Sequence, residues 1–336
     1  MTTIGDLPSF IDALDEAGQL VRINRTVSLE YELADVAASL ARTGTGAGLF
    51  SQVEESPWPV FCGGVASHRR AAIALGCNEG ETVDVMERVL DPANGIPPIS
   101  VDSAAWEANT VRGDDLDTAL LPIPTHSRGD GGAFITGAVT VARDPKSGRG
   151  NLSYNRMLRL DEHTFGFNVN EWRDVGTFWK SRANPDAPFP IALAIGLDPA
   201  IMIAAGVKTP VDELFIAGAI RGRGIKVRQG LTIDVDIPAA AEIVVEGLLH
   251  PAERRSEGPL AEFHGYHGEA WNSPTLEVTA ISWRDDPIYQ TIIPGWYEHV
   301  YLGNVLPREP LLRRFVRHLD PTADVHIPAY GNGFLA

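Results

Sequence analysis

The sequence predicts an α+β protein of about two domains: an N-terminal α/β segment, then a strand-rich, barrel-like segment. Three observations point there. The N-terminal part carries apolar residues at helical spacing between short alternating runs, and the middle holds many strand-like runs with few helical ones. A stretch rich in Pro, Gly and Asp, 93–115, lies between them. At 336 residues, 44% hydrophobic and 21% charged, the chain can bury a substantial core of ordinary globular type. The implied boundaries are 1–115, 116–305 and a short C-terminal α/β remnant, 306–336.

Phe10, Ile11 and Leu14 share a helical face over 7–17, with Pro8 near the start and Gly18 just past the end. Residues 20–23 alternate as a strand. Leu33, Val36, Ala37 and Leu40 place a second helix over 30–42. A short strand at 59–62 and a helix at 82–90 complete the first segment. In the middle, a strand over 134–142, a turn at 144–150 and a return strand over 151–160 read as a hairpin. Helices are expected over 171–182 and 212–219, and strands over 190–197, 225–227, 233–235 and 242–249. Residues 276–283 and 288–293 read as a second hairpin around Arg284-Asp285-Asp286-Pro287. A helix over 311–319 and a strand over 325–327 close the chain.

Charge and apolar runs exclude several classes. Lys and Arg number 28 against 44 Asp and Glu, a net charge of −16, which argues against nucleic acid or an anionic membrane as partner. Small anionic substrates stay open, because one local arginine can set the field of a pocket. Two cysteines, Cys62 and Cys77, make no disulfide framework. The apolar runs 189–197 and 200–207 are broken by Asp198-Pro199 and fall short of the ~18 residues of a membrane span. The N-terminus lacks the basic and apolar regions of a signal peptide, so the expectation is a cytoplasmic protein.

The chemistry concentrates at 257–268, Glu-Gly-Pro-Leu-Ala-Glu-Phe-His-Gly-Tyr-His-Gly. Two carboxylates, two imidazoles and a phenol sit on a Gly-punctuated loop, the setting an acid–base site needs. A solvated polar loop is the plainer alternative. On the expected strand 151–160, Asn151, Ser153 and Asn155 share one face, and Leu152, Tyr154 and Arg156 the other. An inward guanidinium needs an anion. That anion is either a substrate carboxylate held by two parallel hydrogen bonds or a structural salt-bridge partner. Glu171 is expected to begin a helix and Glu213 to lie in the first turn of another, where the helix dipole alone favours acids. With Asn151 they could instead ligate Mg²⁺ or Mn²⁺. The run Gly-Ala-Ile-Arg-Gly-Arg-Gly at 218–224 reads as a turn, with approach to a phosphate as the alternative.

Taken together, Asn-x4-Arg (Asn151, Arg156), Asp-Glu before an apolar helix with Gly-Ala-Ile (Glu213, Gly218, Ile220), and Glu-Gly-Pro-x-x-Glu-x-His-Gly-Tyr (257–266) resemble the UbiD family of prenylated-flavin decarboxylases. The opening Phe10-Ile11 through Gly18-Gln19-Leu20-Val21-Arg22-Ile23 resembles the family's start, and the heteroaromatic-acid branch is the nearest in character. The resemblance implies a split-barrel flavin domain over 116–305. It implies a Glu–Arg–Glu trio on Arg156, Glu257 and Glu262: Arg156 orients the substrate carboxylate, Glu257 pairs with Arg156, and Glu262 delivers a proton. It also implies Mn²⁺ (or Mg²⁺) on Asn151, Glu171 and Glu213, with Glu171 where the family has histidine, and leaves room for K⁺. Contacts to prenylated FMN fall on Asn151, Ser153, Arg156, Glu171 and Glu213.

The substrate pocket implied by the resemblance falls on Trp296, His299 and Asn304, flanked by Tyr297 and Tyr301. Aromatic walls with one imidazole and one amide suit a flat, mildly polar ring; core or interface aromatics are the alternative. The implied reaction is a reversible, non-oxidative decarboxylation of an aromatic, heteroaromatic or α,β-unsaturated acid. Its partners are that small acid, CO₂ and a flavin prenyltransferase that supplies the cofactor, with a homo-oligomer at full length. Loss of CO₂ from an unsaturated carbon leaves a carbanion no side chain can delocalise, so an electron sink is required of a cofactor. Two alternatives stand beside it: a metal-dependent hydrolase or decarboxylase using His264 and His267 without flavin, and a non-catalytic flavin-binding or assembly protein. Family members run longer, with a C-terminal domain that helps hold the flavin phosphate. The expectation is that this chain folds but holds flavin weakly and turns over slowly.

Overall fold

The computed structural model describes residues 3–262 and 264–331. Local signals set the N-terminal elements. Asp6 caps the helix Leu7–Glu16, its carboxylate accepting from the Ser9 N–H at 2.9 Å, and the helix buries Leu7, Phe10, Ile11 and Leu14. Strand Leu20–Ile23 pairs in parallel with Ala47–Phe50, which pairs antiparallel with Val60–Cys62. The helix Glu32–Thr43 packs on strand Ala47–Phe50, whereas His68–Leu75 packs on the first helix and Thr82–Val89 on His68–Leu75; His68–Leu75 carried no sequence signal strong enough to predict it.

The fourth strand of that sheet is Tyr289–Gln290, paired in parallel with Val60–Cys62. The expected hairpin of 276–283 with 288–293 therefore does not form. Strand Trp271–Trp283 already has Ile243–Glu257 on one side and Thr164–Phe167 with Asn109–Val111 on the other. It has no free edge for a return strand, and the chain crosses to the N-terminal sheet.

The main sheet is nine-stranded, with eight strands antiparallel along its path, Phe134–Ile135, Met157–Arg159, Thr164–Phe167, Trp271–Trp283, Ile243–Glu257, Phe189–Ile195, Val139–Arg143 and Gly150–Tyr154, and Asn109–Val111 paired to Trp271–Trp283 off that path. Here the expected strands 134–142 and 151–160 are each broken. Phe134–Ile135 and Met157–Arg159 lie at one end of the order, Val139–Arg143 and Gly150–Tyr154 at the other. Only Asn155 and Arg156 separate the last of these from Met157, a reach of at most about 11 Å. The two ends must come together, so the sheet curls into a half-barrel. Gly137 lets the other break pass close by: a Cβ there would lie 2.5 Å from the Gln290 carbonyl oxygen.

Other departures have local causes. Asp198-Pro199, read as a break, instead starts the buried helix Pro199–Ala205, with Asp198 accepting from the Ala200 N–H at 2.8 Å. It also holds Arg221 of the helix Glu213–Arg221 in a buried ion pair. The strand expected at 233–235 lies at Asp236–Pro238, in a small sheet with Lys226–Gln229 and Ile99–Ser100. Tyr297–Val300, a π-helical turn Tyr301–Val305 and helix Leu306–Arg317 follow one another. Residues 325–327 form no strand, because the Ile327 N–H bonds to the Glu309 carboxylate at 2.7 Å rather than to a sheet. Among the described residues no helix is long and apolar enough to cross a membrane.

Candidate active site

The gap between the half-barrel's ends holds Arg156. It sits between strands Gly150–Tyr154 and Met157–Arg159, not on the apolar face of one strand as its spacing suggested. Its Nε donates to Glu257 Oε1 at 2.9 Å and its Nη2 to Glu257 Oε2 at 3.3 Å, while Nη1 donates to Glu262. Glu257 is the last residue of strand Ile243–Glu257 and fully buried; Asn168 Nδ2 donates to it at 2.8 Å. Glu262 is 31% exposed and faces the opening. One guanidinium thus bridges a buried carboxylate and a solvent-reachable one.

The loop carrying Glu262 is tightly held. Gly258 has φ +107°, open only to glycine, and the Gly258-Pro259 bond is cis. The Pro259 carbonyl accepts from Gly131 N–H at 2.8 Å, and Glu262 N–H donates to the Tyr266 carbonyl at 2.8 Å. Asp130, its side chain fully buried, accepts from Ser127 N–H at 2.8 Å and Ala261 N–H at 3.3 Å, and faces His267 Nε2 at 3.3 Å. His267 is therefore engaged in holding the loop, and neither it nor His264 is on the cleft wall.

A cleft of about 570 Å³ opens beside the trio. Asn151, Ser153, Arg156 and Glu213 line it, as do His299 and Asn304. Trp296 lies on a smaller adjoining hollow that shares Ala261, Glu262 and Pro294 with the cleft, and Arg42 stacks over its ring at 5.3 Å. Burial pushes the His299 imidazole down to about 4, so it is neutral at physiological pH. Ser153 Oγ donates to Asn155 Oδ1 at 3.0 Å.

Deeper in the cleft, Asn151 Nδ2 lies 3.3 Å from both Glu213 oxygens, and the Leu152 N–H donates to Glu213 Oε2 at 2.8 Å. Both side chains are buried, and Asn151 Oδ1 has no hydrogen-bond partner. Burial drives the Glu213 carboxyl up to about 8 against the pull of the Leu152 N–H. An orphaned carbonyl oxygen beside a carboxylate short of positive charge fits a hard divalent cation.

The structure does not bring Glu171 to this pair. The helix starts at Asp174, not at Glu171, and Glu171 sits in the preceding turn. Its carboxylate is taken by Lys180 Nζ at 2.7 Å and Arg254 Nη2 at 2.6 Å, and those hydrogen bonds, Lys180 first, hold it below the usual carboxylate range. Asn170, one residue earlier, faces the cleft instead.

Sequence reasoning missed Asn168, which carries no local signal, and three exposed cations on the cleft wall, Arg173, Lys208 and Arg308. Their spacing has no pattern; only the fold gathers them. They make a locally positive rim in a chain of net charge −16.

Comparison with known proteins agrees with this architecture. Residues 99–297 match the family model described as the 3-octaprenyl-4-hydroxybenzoate carboxy-lyase Rift-related domain, and residues 11–90 the corresponding N-terminal domain. The chain is similar to an evolved dimeric form of the UbiD-class enzyme HmfF from Pelotomaculum thermopropionicum in complex with prFMN. That match has a TM-score of 0.92 and 33% identity, covering 98% of this chain and 77% of the other. It is similar to the apo 3,4-dihydroxybenzoic acid decarboxylase of Enterobacter cloacae, with a TM-score of 0.90 and 28% identity over 98% of this chain and 73% of the other. The vanillic acid decarboxylase of Sedimentibacter hydroxybenzoicus shares the fold, with a TM-score of 0.89 and 24% identity over 98% and 72% of the two chains.

Proposed function

Because the chain belongs to the UbiD family of carboxy-lyases, we propose that it is a reversible, non-oxidative decarboxylase of a small aromatic or heteroaromatic carboxylic acid, working with prenylated FMN and a divalent cation. The observation that carries the reading is the bridge from buried Glu257 through Arg156 to Glu262 at the edge of a cleft. HmfF binds prFMN in its complex, which supports the same cofactor here. When bound, that cofactor supplies the electron sink that decarboxylation requires.

This chain's residues do the rest. Arg156 orients the substrate carboxylate, and Glu257 fixes the guanidinium by two hydrogen bonds from below. Asn168 fixes Glu257 in turn. Glu262, on its pinned loop, delivers the proton to carbon once CO₂ has left. Asn151 and Glu213 hold Mn²⁺ or Mg²⁺, and Arg173, Lys208 and Arg308 attract the cofactor phosphate. Trp296, His299 and Asn304 shape the ring's binding site; a neutral His299 can donate or accept without adding charge.

The direct test is co-expression with a flavin prenyltransferase, followed by a CO₂-release screen. Pyrrole-, furan-, indole- and phenol-type acids should lose CO₂, and the purified protein should show a modified-flavin spectrum. A screen in which only acrylic-type acids react would overturn the aromatic preference. No flavin and no CO₂ release from any acid would overturn the reading as a whole.

The cation proposal has its own pH signature. A proton and a cation compete for Glu213, whose carboxyl stands at about 8. Below that pH the apparent Mn²⁺ affinity should rise about tenfold per pH unit, with one proton released per ion, and should level off above it. In metal-free protein the sign for stability is opposite: the raised carboxyl favours the fold while protonated, and that contribution is lost as pH rises through about 8. Glu213→Gln should lose Mn²⁺ and its pH dependence, whereas Glu171→Ala should keep both. Loss of metal on removing Glu171 would show that its ion pairs are not its role.

A further inference from the structure

A second group of ligating side chains lies outside the cleft. His68 opens the helix His68–Leu75, Glu309 lies on the helix Leu306–Arg317, and His326 follows that helix. One ring nitrogen of each histidine and one Glu309 carboxylate oxygen all lie within 4.8 Å of one another. The two imidazole rings stand 5.2 Å apart, tilted by 36°. Glu309 Oε1 accepts from the Ile327 N–H at 2.7 Å and faces His326 Nδ1 at 3.3 Å. Among the described residues this is the one such three-residue cluster, and none of its members lines the cleft.

We propose that His68, Glu309 and His326 form a structural Zn²⁺ site that clamps the helix Leu306–Arg317 and the segment after it onto the helix His68–Leu75. Two imidazoles and a carboxylate are a donor set that Zn²⁺ takes, with a water molecule completing the tetrahedron. It differs from the all-oxygen Asn151–Glu213 pair, which suits a harder ion. The electrostatics of the group favour it. Glu309 is buried, with a side-chain exposure of 3%. A neutral imidazole is the form a metal binds, and a divalent ion compensates an ionised Glu309 in its buried position. Outer contacts already orient the ligands: the Ile327 N–H on Glu309, and the Tyr301 ring edge-on to His68 at 5.3 Å. Without a metal, the same contacts amount to one histidine–glutamate pair and a ring stack. Such a pair does not require His68 to bring its nitrogen to the same point. The clamp joins residues far apart in sequence, where closing a long loop restricts the unfolded chain most.

The test uses the metal-free 336-residue chain and Zn²⁺ alone, titrated in competition with a chromophoric chelator, then Co²⁺ as a spectroscopic substitute. Wild type and Glu213→Gln should each bind about one Zn²⁺ at this site, and their Co²⁺ forms should show the intense visible bands of tetrahedral coordination. His326→Ala should weaken Zn²⁺ by more than the roughly 10-fold that losing even an outer partner costs, and should abolish the tetrahedral bands. Zn²⁺ should raise Tm in wild type and not in His326→Ala. His326 is 63% exposed, so its removal leaves the fold in place; His68→Gln is the second variant and should behave alike. Zn²⁺ affinity and Tm shift unchanged in His326→Ala would overturn the site. So would an octahedral Co²⁺ spectrum in wild type, or loss of Zn²⁺ in Glu213→Gln alone.

Discussion

Glu262→Gln is expected to abolish decarboxylation while leaving fold and flavin content as in wild type. Glutamine keeps the shape of the side chain, and Glu262 is 31% exposed on a loop held by other contacts, so its loss opens no cavity. The transferable proton is removed, and the ion pair with Arg156 becomes a hydrogen bond to a neutral amide. Positioned general acids contribute roughly 10²–10⁴-fold, so turnover should fall by at least the lower figure. Glutamine still offers its amide oxygen to Arg156 Nη1, so substrate affinity should change far less than turnover. Single-turnover CO₂ release, with proton uptake at carbon followed in D₂O, measures the effect. Full turnover in Glu262→Gln would show that the proton comes from elsewhere. Asp130 offers a control on the same loop: Asp130→Asn should loosen Ala261 and His267, and so lower turnover through misplacement rather than through lost chemistry.

Much of this site was legible because its chemistry sits in short runs. The Glu-Gly-Pro-x-x-Glu run places two carboxylates five residues apart around a constrained turn, and Asn-x4-Arg supplies the amide and the cation. Both runs meet at Arg156. Inward pointing was predicted for it from the alternation of a continuous strand, yet the strand stops at Tyr154 and the arginine fills the gap before Met157. Period-two reasoning put it on the apolar face of one continuous strand and missed the break, because nothing at Asn155-Arg156 signals one. Sheet closure is a long-range event, set by which edges pair. Gly137 was the one local hint at the matching break.

Other parts could not be read locally. The run Thr-Phe-Gly-Phe at 164–167 is short and glycine-bearing, and it becomes a strand by pairing with Met157–Arg159 and Trp271–Trp283, while Gly166 leaves room for Glu257, whose Cβ would lie 3.2 Å from a Cβ there. Glu171 was misplaced for a physical reason. An acid near a helix start is favoured by the dipole whether it is a ligand, a cap or one residue of a turn, and the partners that decide, Lys180 and Arg254, lie outside that window. Arg173, Lys208 and Arg308 come from three separate elements, and only the fold makes one rim of them.

The other large effect is expected at Arg156, and it should appear in stability as well as in rate. Glu257 is fully buried, and its described side-chain partners are Arg156, by two bonds, and Asn168, by one. Arg156→Ala leaves that carboxylate with a neutral amide alone. Breaking a buried pair from one side typically costs about 3–5 kcal/mol. Turnover should fall about 10²-fold or more, since the substrate carboxylate loses its orienting group. Arg156→Lys separates the two consequences. A lysine keeps the charge near Glu257, so most of the stability should return. Its single ammonium cannot direct parallel bonds at Glu257 and another at Glu262 together, so turnover should stay low. Glu257→Gln completes the set: it removes the buried charge, so it should cost less stability than Arg156→Ala, yet the guanidinium loses its anchor and turnover should still drop. Urea unfolding and CO₂ release on all three variants give the comparison. If Arg156→Lys turned over like wild type, a point charge would suffice, and the fork between two carboxylates would have no part in the reaction. If Arg156→Ala were as stable as wild type, Glu257 would be satisfied without it, and the anchoring of the trio from below would be wrong.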